Sequence, residues 1–199
     1  MTSREAGYAF AELRRELRED IDAYLGFASE YAPDRRTFGK RASAFLTPSV
    51  LACFWYRLSH YAHRRGWRRL AFACAWANLL TTRASIAPAS RIGGGLYLPH
   101  PSTGIVFQGT AGRNLRLFAG SGVAARYLPM SARELQGAPR LGDDVSIGAK
   151  AFVGGAVTIG TGARIGFNAF VDRDLPPGAI VVSAHVRSRV AEVDQPPRR

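Results

Sequence analysis

The sequence predicts an α+β protein, with an N-terminal α-helical part followed by a parallel β-helix of hexapeptide repeats. Two observations lead to this. Up to about residue 80, apolar residues recur every three or four positions, the helical period. From Ser85 to Ala184 that period disappears and aliphatic residues recur every six positions. One six-residue unit cannot bury its aliphatic side chain alone. Stacked units make a continuous apolar column, and such periods mark a parallel β-helix.

The helical part reads as three elements. Over residues 2–31, Thr2 and Glu5 fit a capping box. Phe10, Leu13, Leu17, Ile21, Tyr24, Leu25 and Ala28 then form one stripe, opposite Arg14, Arg15, Arg18, Glu19 and Asp22. Ala32-Pro33-Asp34 breaks that helix, and a basic loop or short helix runs from Arg35 to Arg41. Thr47 as cap and Pro48 at the first helical position start a second helix with Val50, Leu51, Phe54, Trp55, Leu58 and Tyr61 as its stripe; Gly66 ends it. Trp67 to Leu80 gives a third, mostly apolar helix, expected to be buried between elements or subunits. His60 and His63 are expected to be structural, since no cysteine or carboxylate lies near them in sequence.

The ladder begins Ile86-Ala-Pro-Ala-Ser-Arg, Ile92-Gly-Gly-Gly-Leu-Tyr, Leu98-Pro-His-Pro. It is irregular from Ile105 to Ala125. It returns as five consecutive units starting at Leu141, Ile147, Val153, Ile159 and Ile165. Each opens on an inward aliphatic residue followed by a small corner residue. Asp174-Leu-Pro-Pro-Gly178 ends the run and Ala179-Ile-Val-Val forms a last strand. The predicted division is 1–83 helical domain, 84–184 β-helix domain and 185–199 C-terminal tail, polar and disordered toward Arg199.

Composition narrows the function. At 47% apolar residues the chain is outside the disordered class. Its N-terminus does not read as a secretory signal, and the run Leu70–Leu80 is too short for a bilayer; a cytoplasmic protein without membrane attachment is expected. Cys53 and Cys74 read as buried thiols. No Cys/His cluster has zinc spacing, and the ladder lacks the three histidines a zinc hydratase would need, so no metal is expected. The net charge is +12, and no Asp or Glu falls between Arg35 and Arg133, where fifteen Arg or Lys stand. Such a surface attracts phosphates or an acidic carrier protein, or simply reflects an Arg-rich composition. No nucleic-acid motif accompanies it. His100, in Leu98-Pro-His-Pro101, is the only histidine of the ladder and the expected site of any chemistry.

On these residues the chain resembles the bacterial serine O-acetyltransferases, as a divergent member. The resemblance runs from about Asp34 to Arg189. It is carried by Tyr56-Arg57-Leu58-Ser59-His60 with Arg64-Arg65-Gly66, by Ile86-Ala-Pro-Ala-Ser-Arg-Ile-Gly-Gly-Gly-Leu, by His100-Pro with Thr103-Gly-Ile-Val, by Gly137-Ala-Pro-Arg-Leu-Gly-Asp-Asp-Val145 and by Leu175-Pro-Pro-Gly-Ala179. It implies a left-handed β-helix, a homotrimer or dimer of trimers, acetyl-CoA or another acyl-CoA as co-substrate, and a small-molecule hydroxyl acceptor. It implies His100 as general base taking the acceptor's proton. It implies cofactor contacts at Gly148, Ala149, Arg164, Gly166 and Phe167, with Arg164 a phosphate partner, and an acceptor contact at Asp34. Asp34 also reads as a turn residue after Pro33.

Departures from the family's pattern bear on the acceptor. Ser85 stands where the family carries an aspartate behind its histidine, Pro99 replaces a residue that is often acidic, and Ala138 replaces a second histidine. Ala124-Ala125 occupies a glycine pair near the acyl site. Ser102 is an extra residue, and the following coil is about two residues short. Ser85, Arg133 and Arg140 are therefore candidates for an altered acceptor pocket. Three readings stay open: an acyl-CoA-dependent O-acyltransferase acting on serine or a related compound, with an acyl carrier protein or pathway enzyme as a possible partner; an acyltransferase taking its acyl group from a carrier protein, or acting on a carrier-bound or amine acceptor, with Arg35–Arg41 and Arg64–Arg69 docking acidic helices; and a non-catalytic scaffold.

Overall fold

The computed structural model describes residues 10–31, 44, 46–125, 135 and 137–183. The first nine residues, Asp34, the basic stretch at 35–41, Arg126, Arg133 and the tail lie outside the described residues.

Three helices come first: α1 (Phe10–Tyr31), α2 (Pro48–Arg64) and α3 (Arg68–Thr82). Thr47 caps α2 as the sequence predicts: its backbone is extended and its hydroxyl oxygen accepts from the Val50 N–H. Gly66, at φ +77°, takes the left-handed turn between α2 and α3. The expectation of a buried α3 holds on one face only. Ala71, Cys74 and Asn78 are buried, whereas Phe72, Trp76 and Leu80 stand exposed.

Thirteen short strands follow among the described residues. One sheet stacks β1 (Ala84–Ile86), β3 (Ile105–Phe107), β6 (Gly122–Ala124), β9 (Phe152–Gly154) and β12 (Phe170–Val171). A second stacks β2 (Arg91–Ile92), β4 (Thr110–Ala111), β7 (Arg140–Leu141) and β10 (Thr158–Ile159). A third stacks β5 (Arg116–Leu117), β8 (Ser146–Ile147), β11 (Arg164–Ile165) and β13 (Ile180–Val181). Every pairing is parallel, and successive strands in the chain lie in different sheets. The chain therefore winds as a three-sided parallel coil. Its apolar column is the predicted one: Ile86, Ile92, Ile105, Leu117, Val123, Leu141, Ile147, Val153, Ile159 and Ile165 are all buried.

The first coil needs a cap, because a terminal coil has no neighbour to cover its end. α2 supplies it through residues spaced for one helical face. Ser49 donates to Leu98 O, Cys53 to Leu96 O, and His60 Nδ1–H to Pro88 O. The Tyr56 hydroxyl donates to Ser90 O at 3.0 Å and accepts from Ile92 N–H at 3.1 Å. Arg57, 0% exposed, donates to Ile92 O and Gly93 O. Its charge is met by α1: Asp20 at 2.8 and 2.9 Å, and Glu16 at 3.0 Å. Asp20 in turn accepts from Leu96 N–H. A single Arg–Asp pair thus joins α1, α2 and the first coil. The structural role expected for His60 holds, and burial pushes its pKa down to about 4, so it stays neutral.

Candidate active site

His100 lies where the coil departs most from its period. From Arg116 to Gly122 the chain passes from one sheet to the next in six residues; from Tyr97 to Val106 it takes nine. The surplus forms a bulge, with a 3₁₀ turn over Pro101–Thr103 that absorbs the extra Ser102. The chain then recovers length, reaching Thr110 in the next sheet four residues after Val106. His100 stands at the tip, exposed, with φ 55° and ψ 53°. A left-handed conformation is uncommon for a non-glycine residue, and the following proline restricts the backbone further. The turn is held by the Thr103 N–H and hydroxyl, both donating to His100 O. No hydrogen bond to the imidazole itself is found among the described residues.

The bulge projects toward the start of α2 and the end of α1, and together they wall a cleft of about 390 Å³. Tyr24 and Phe27 of α1, Thr47, Pro48 and Ser49 at the head of α2, and Tyr97, Pro99, Pro101 and Ser102 of the coil line it with His100. The Phe27 and Tyr97 rings are 4.6 Å apart between centroids. Sequence reading missed these aromatic walls. Their signal was Tyr24 on the α1 stripe and Tyr97 one turn before the histidine, visible only once the helix was docked.

The other candidates divide. Ser85 points outward on β1 and lines a different groove, with Phe72 and Trp76 of α3, Val106 and Gln108. Arg140 is exposed on β7, in the second sheet, and is not among the residues lining the His100 cleft. Asp34 and Arg133 lie outside the described residues.

The cofactor candidates do come together. Gly148-Ala149 and Gly166-Phe167 are the same corner of two stacked coils, tied by Gly148 N–H to Ile165 O and Asn168 N–H to Ala149 O. A Cβ on Gly148 would meet the Gly166 and Phe167 backbone at 2.8 Å, so only glycine allows that stacking. Arg164 stands exposed just before the lower corner. These corners belong to one column that continues upward through Phe118-Ala119-Gly120 to the His100 turn: Lys150 N–H donates to Ala119 O, and a Cβ on Gly120 would sit 3.9 Å from Thr103 O. With about 4.8 Å between paired strands, the Gly148 corner is roughly 10 Å below that turn. Lys150, one of two lysines in the chain, was also missed; its side chain lies over Gly120, between the two levels. Among the described residues no three metal-binding side chains come together.

Comparison with known proteins agrees with this layout. Residues 138–173, the regular coils, match the family model described as bacterial transferase hexapeptide (six repeats). The serine acetyltransferase of Mycobacterium tuberculosis is 36% identical over 140 residues, which cover 69% of this chain and 59% of that protein. The chain thus spans less than two thirds of that relative's length. The serine acetyltransferase of Helicobacter pylori strain J99 is 33% identical over 145 residues, covering 72% of this chain and 82% of its own. The soybean serine acetyltransferase solved complexed with serine superposes with a TM-score of 0.72, at 27% identity, over 87% of this chain and 68% of that one. Identity of a third across most of the Helicobacter protein, on a coil that carries the expected histidine corner, means that this chain belongs to the serine acetyltransferase family.

Proposed function

We propose that the protein is a CoA-dependent O-acyltransferase, serine acetyltransferase-like, that moves an acetyl or other acyl group from a CoA thioester to a hydroxyl of serine or a related small molecule. The observation that carries this reading is the single column of corners joining the His100 turn to the Gly148 and Gly166 corners. A thioester laid along it, phosphates toward Arg164 and Lys150, would bring its acyl end up to the imidazole. The glycine corners suit such a ligand because no side chain stands between it and the backbone.

In this reading the acceptor hydroxyl gives its proton to the His100 imidazole as its oxygen attacks the thioester carbonyl. The tetrahedral intermediate collapses, the C–S bond breaks, and the thiolate takes the proton back from the imidazolium. Holding both reactants in one cleft supplies much of the rate, and no covalent enzyme intermediate is needed. Asp34 and Arg133 remain proposed acceptor contacts, and Ser85 and Arg140 would join the site only across a subunit boundary.

The same reading makes the coil left-handed, residues 1–83 and 84–184 its two domains, and the working assembly a trimer or pair of trimers in the cytoplasm. The exposed apolar strip of Phe72, Trp76, Leu80, Val106 and Phe170 supports self-association. An acidic carrier protein is the second reading. Arg64, Arg65, Arg68 and Arg69 gather at the turn between α2 and α3. His63 there is held below its ordinary pKa by burial and then by Arg68, Arg64 and Arg91.

The test is release of free CoA from acetyl-CoA in the presence of L-serine and small hydroxy compounds. His100→Ala should lower turnover about a hundredfold or more, the scale of a lost general base. Unchanged turnover removes His100 from the mechanism. Donation only from a carrier-bound acyl group, abolished by reversing the charges of Arg68 and Arg69, would favour the second reading.

A further inference from the structure

We propose that Arg64, Arg68 and Arg91 form a binding site for one dianionic oxyanion, a phosphate or sulfate group, at the turn between α2 and α3. The site is independent of the acyl-transfer reading, because it stands at the far end of α2 from the His100 cleft. That helix has 17 residues, which puts about 24 Å between its two ends.

Three elements bring the arginines together. Arg64 is the last residue of α2, one turn beyond His60, whose Nδ1–H reaches Pro88 O on the first coil. Arg91 opens β2, between Ser90 and Ile92, both bonded to the Tyr56 hydroxyl of the same helix. Arg68 opens α3. The turn that leads into it is closed by Gly66 N–H on His63 O, Trp67 N–H on Ala62 O and Arg68 N–H on Gly66 O, so it has a fixed shape. His63 lies among the three: burial lowers its pKa first, and Arg68, Arg64 and Arg91 lower it further.

Ordinary packing leaves this group unbalanced. Among the described residues the arginines in ion pairs are Arg57, Arg113 and Arg173, none of them at this turn. Arg68 also stands in the first turn of α3, which holds no acidic residue, and the helix dipole disfavours a cation there. The Arg64 Nε–H is buried and meets no acceptor among the described residues; such a donor costs free energy until an acceptor is supplied. A single dianion answers all three points. It offsets the like charges, and it accepts from the buried N–H. Guanidinium forks match the oxygens of a tetrahedral oxyanion, and the three cations are all arginines. Carboxylates of a docked protein would meet the exposed Arg68 and Arg91 at the rim, whereas a small ion also reaches Arg64 Nε.

The experiment titrates the full chain with sodium sulfate, against sodium chloride at equal ionic strength, and follows the His63 ring by NMR. His63→Gln assigns the signal. Sulfate stays dianionic across the range in which an imidazole titrates. The expected result is a saturable shift with sulfate alone, half-complete in the millimolar range. The His63 pKa should rise when sulfate is bound, because the anion offsets the field of the arginines. Arg68→Gln and Arg91→Gln should each weaken sulfate binding about tenfold, the scale of a lost charged hydrogen bond. Arg173→Gln, which removes an exposed arginine elsewhere on the coil, should leave it unchanged. Equal shifts in sulfate and chloride, or equal weakening by Arg173→Gln, would mean screening of a diffuse charge and would overturn the site. Calorimetry with inorganic phosphate and glycerol 3-phosphate names the source. Tighter binding of the ester by about tenfold or more supports a site for an organic phosphate, and equal or weaker binding supports one for the free ion.

Discussion

The coil has a regular half and an irregular half, and they do different things. From Leu141 to Val171 every sheet-to-sheet step is six residues, the corners are small, and the column is filled by single aliphatic side chains. From Tyr97 to Thr110 the steps are nine and then four, a histidine sits in the left-handed region between two prolines, and two helices pack alongside. The regular half is self-sufficient, because each coil is covered by the next. The irregular half is next to the coil's open end and depends on α2 and α1 for its shape. The six-residue step breaks at the turn that carries His100.

If that dependence is real, removing the clamp should cost most. Arg57→Met keeps the side-chain volume but leaves Asp20 buried without its cation and frees the carbonyls of Ile92 and Gly93. The expected loss is about 3–5 kcal/mol, measured by urea denaturation. Hydrogen exchange should show opening in the first coil and the His100 turn before the coils after Leu141. Uniform loss of protection would mean that the two halves are one cooperative unit.

The clamp also gives the next largest effect, through pH. His60 is neutral in the fold, with a pKa of about 4 against an ordinary 6.5. Between these values the unfolded chain binds more protons, so stability rises with pH. The contribution is complete above about 6.5 and is lost as pH falls toward 4, by at most about 3 kcal/mol. Melting curves from pH 7 to 4.5 should fall in the wild type and fall less in His60→Asn. Parallel curves would assign the acid sensitivity elsewhere.

The two halves were also unequally legible. The regular half could be read coil by coil, since a strict six-residue period with Gly at the corners admits little else. The Thr47-Pro48 start was equally local, but the apolar stripe expected on α2 was not its inward face: of Val50, Leu51, Phe54, Trp55, Leu58 and Tyr61 only Val50 is buried. The clamp was not legible: Ser49, Cys53, Tyr56, Arg57 and His60 are mostly polar residues on an inward face, where an apolar stripe is the usual signal. Their role depends on carbonyls 35 or more residues away for Arg57 and 28 for His60. The site was half legible. His100 announced itself as the ladder's one imidazole, and the corners proposed to hold the cofactor came from the family resemblance. The aromatic walls and Lys150 depend on how helices and coils stack, which periodicity does not encode.

On the regular side, Gly148→Ala is the matching probe. The added methyl meets backbone at 2.8 Å, which a packed corner cannot yield cheaply, so about 1–3 kcal/mol should be lost. Differential scanning calorimetry would read it. CoA affinity should fall as well, if the corner lies under the cofactor.

The smallest effect separates function from stability at the bulge itself. His100 has φ 55°, where a β-carbon costs about 1–2 kcal/mol and glycine costs little. His100→Gly and His100→Ala both remove the imidazole, so both should be inactive. They differ only in whether the left-handed backbone is relieved. His100→Gly should therefore be more stable than His100→Ala by about 1 kcal/mol, and as stable as the wild type or slightly more so. Denaturant midpoints for the three proteins, at equal slopes, are the measurement. Equal midpoints for the two variants would mean that the turn relaxes when the imidazole leaves, and that His100 is not held under strain. A more stable glycine variant would mean that the chain tolerates a strained residue at the His100 corner, as it does at Asp144, Lys150 and Asn168 in the regular half.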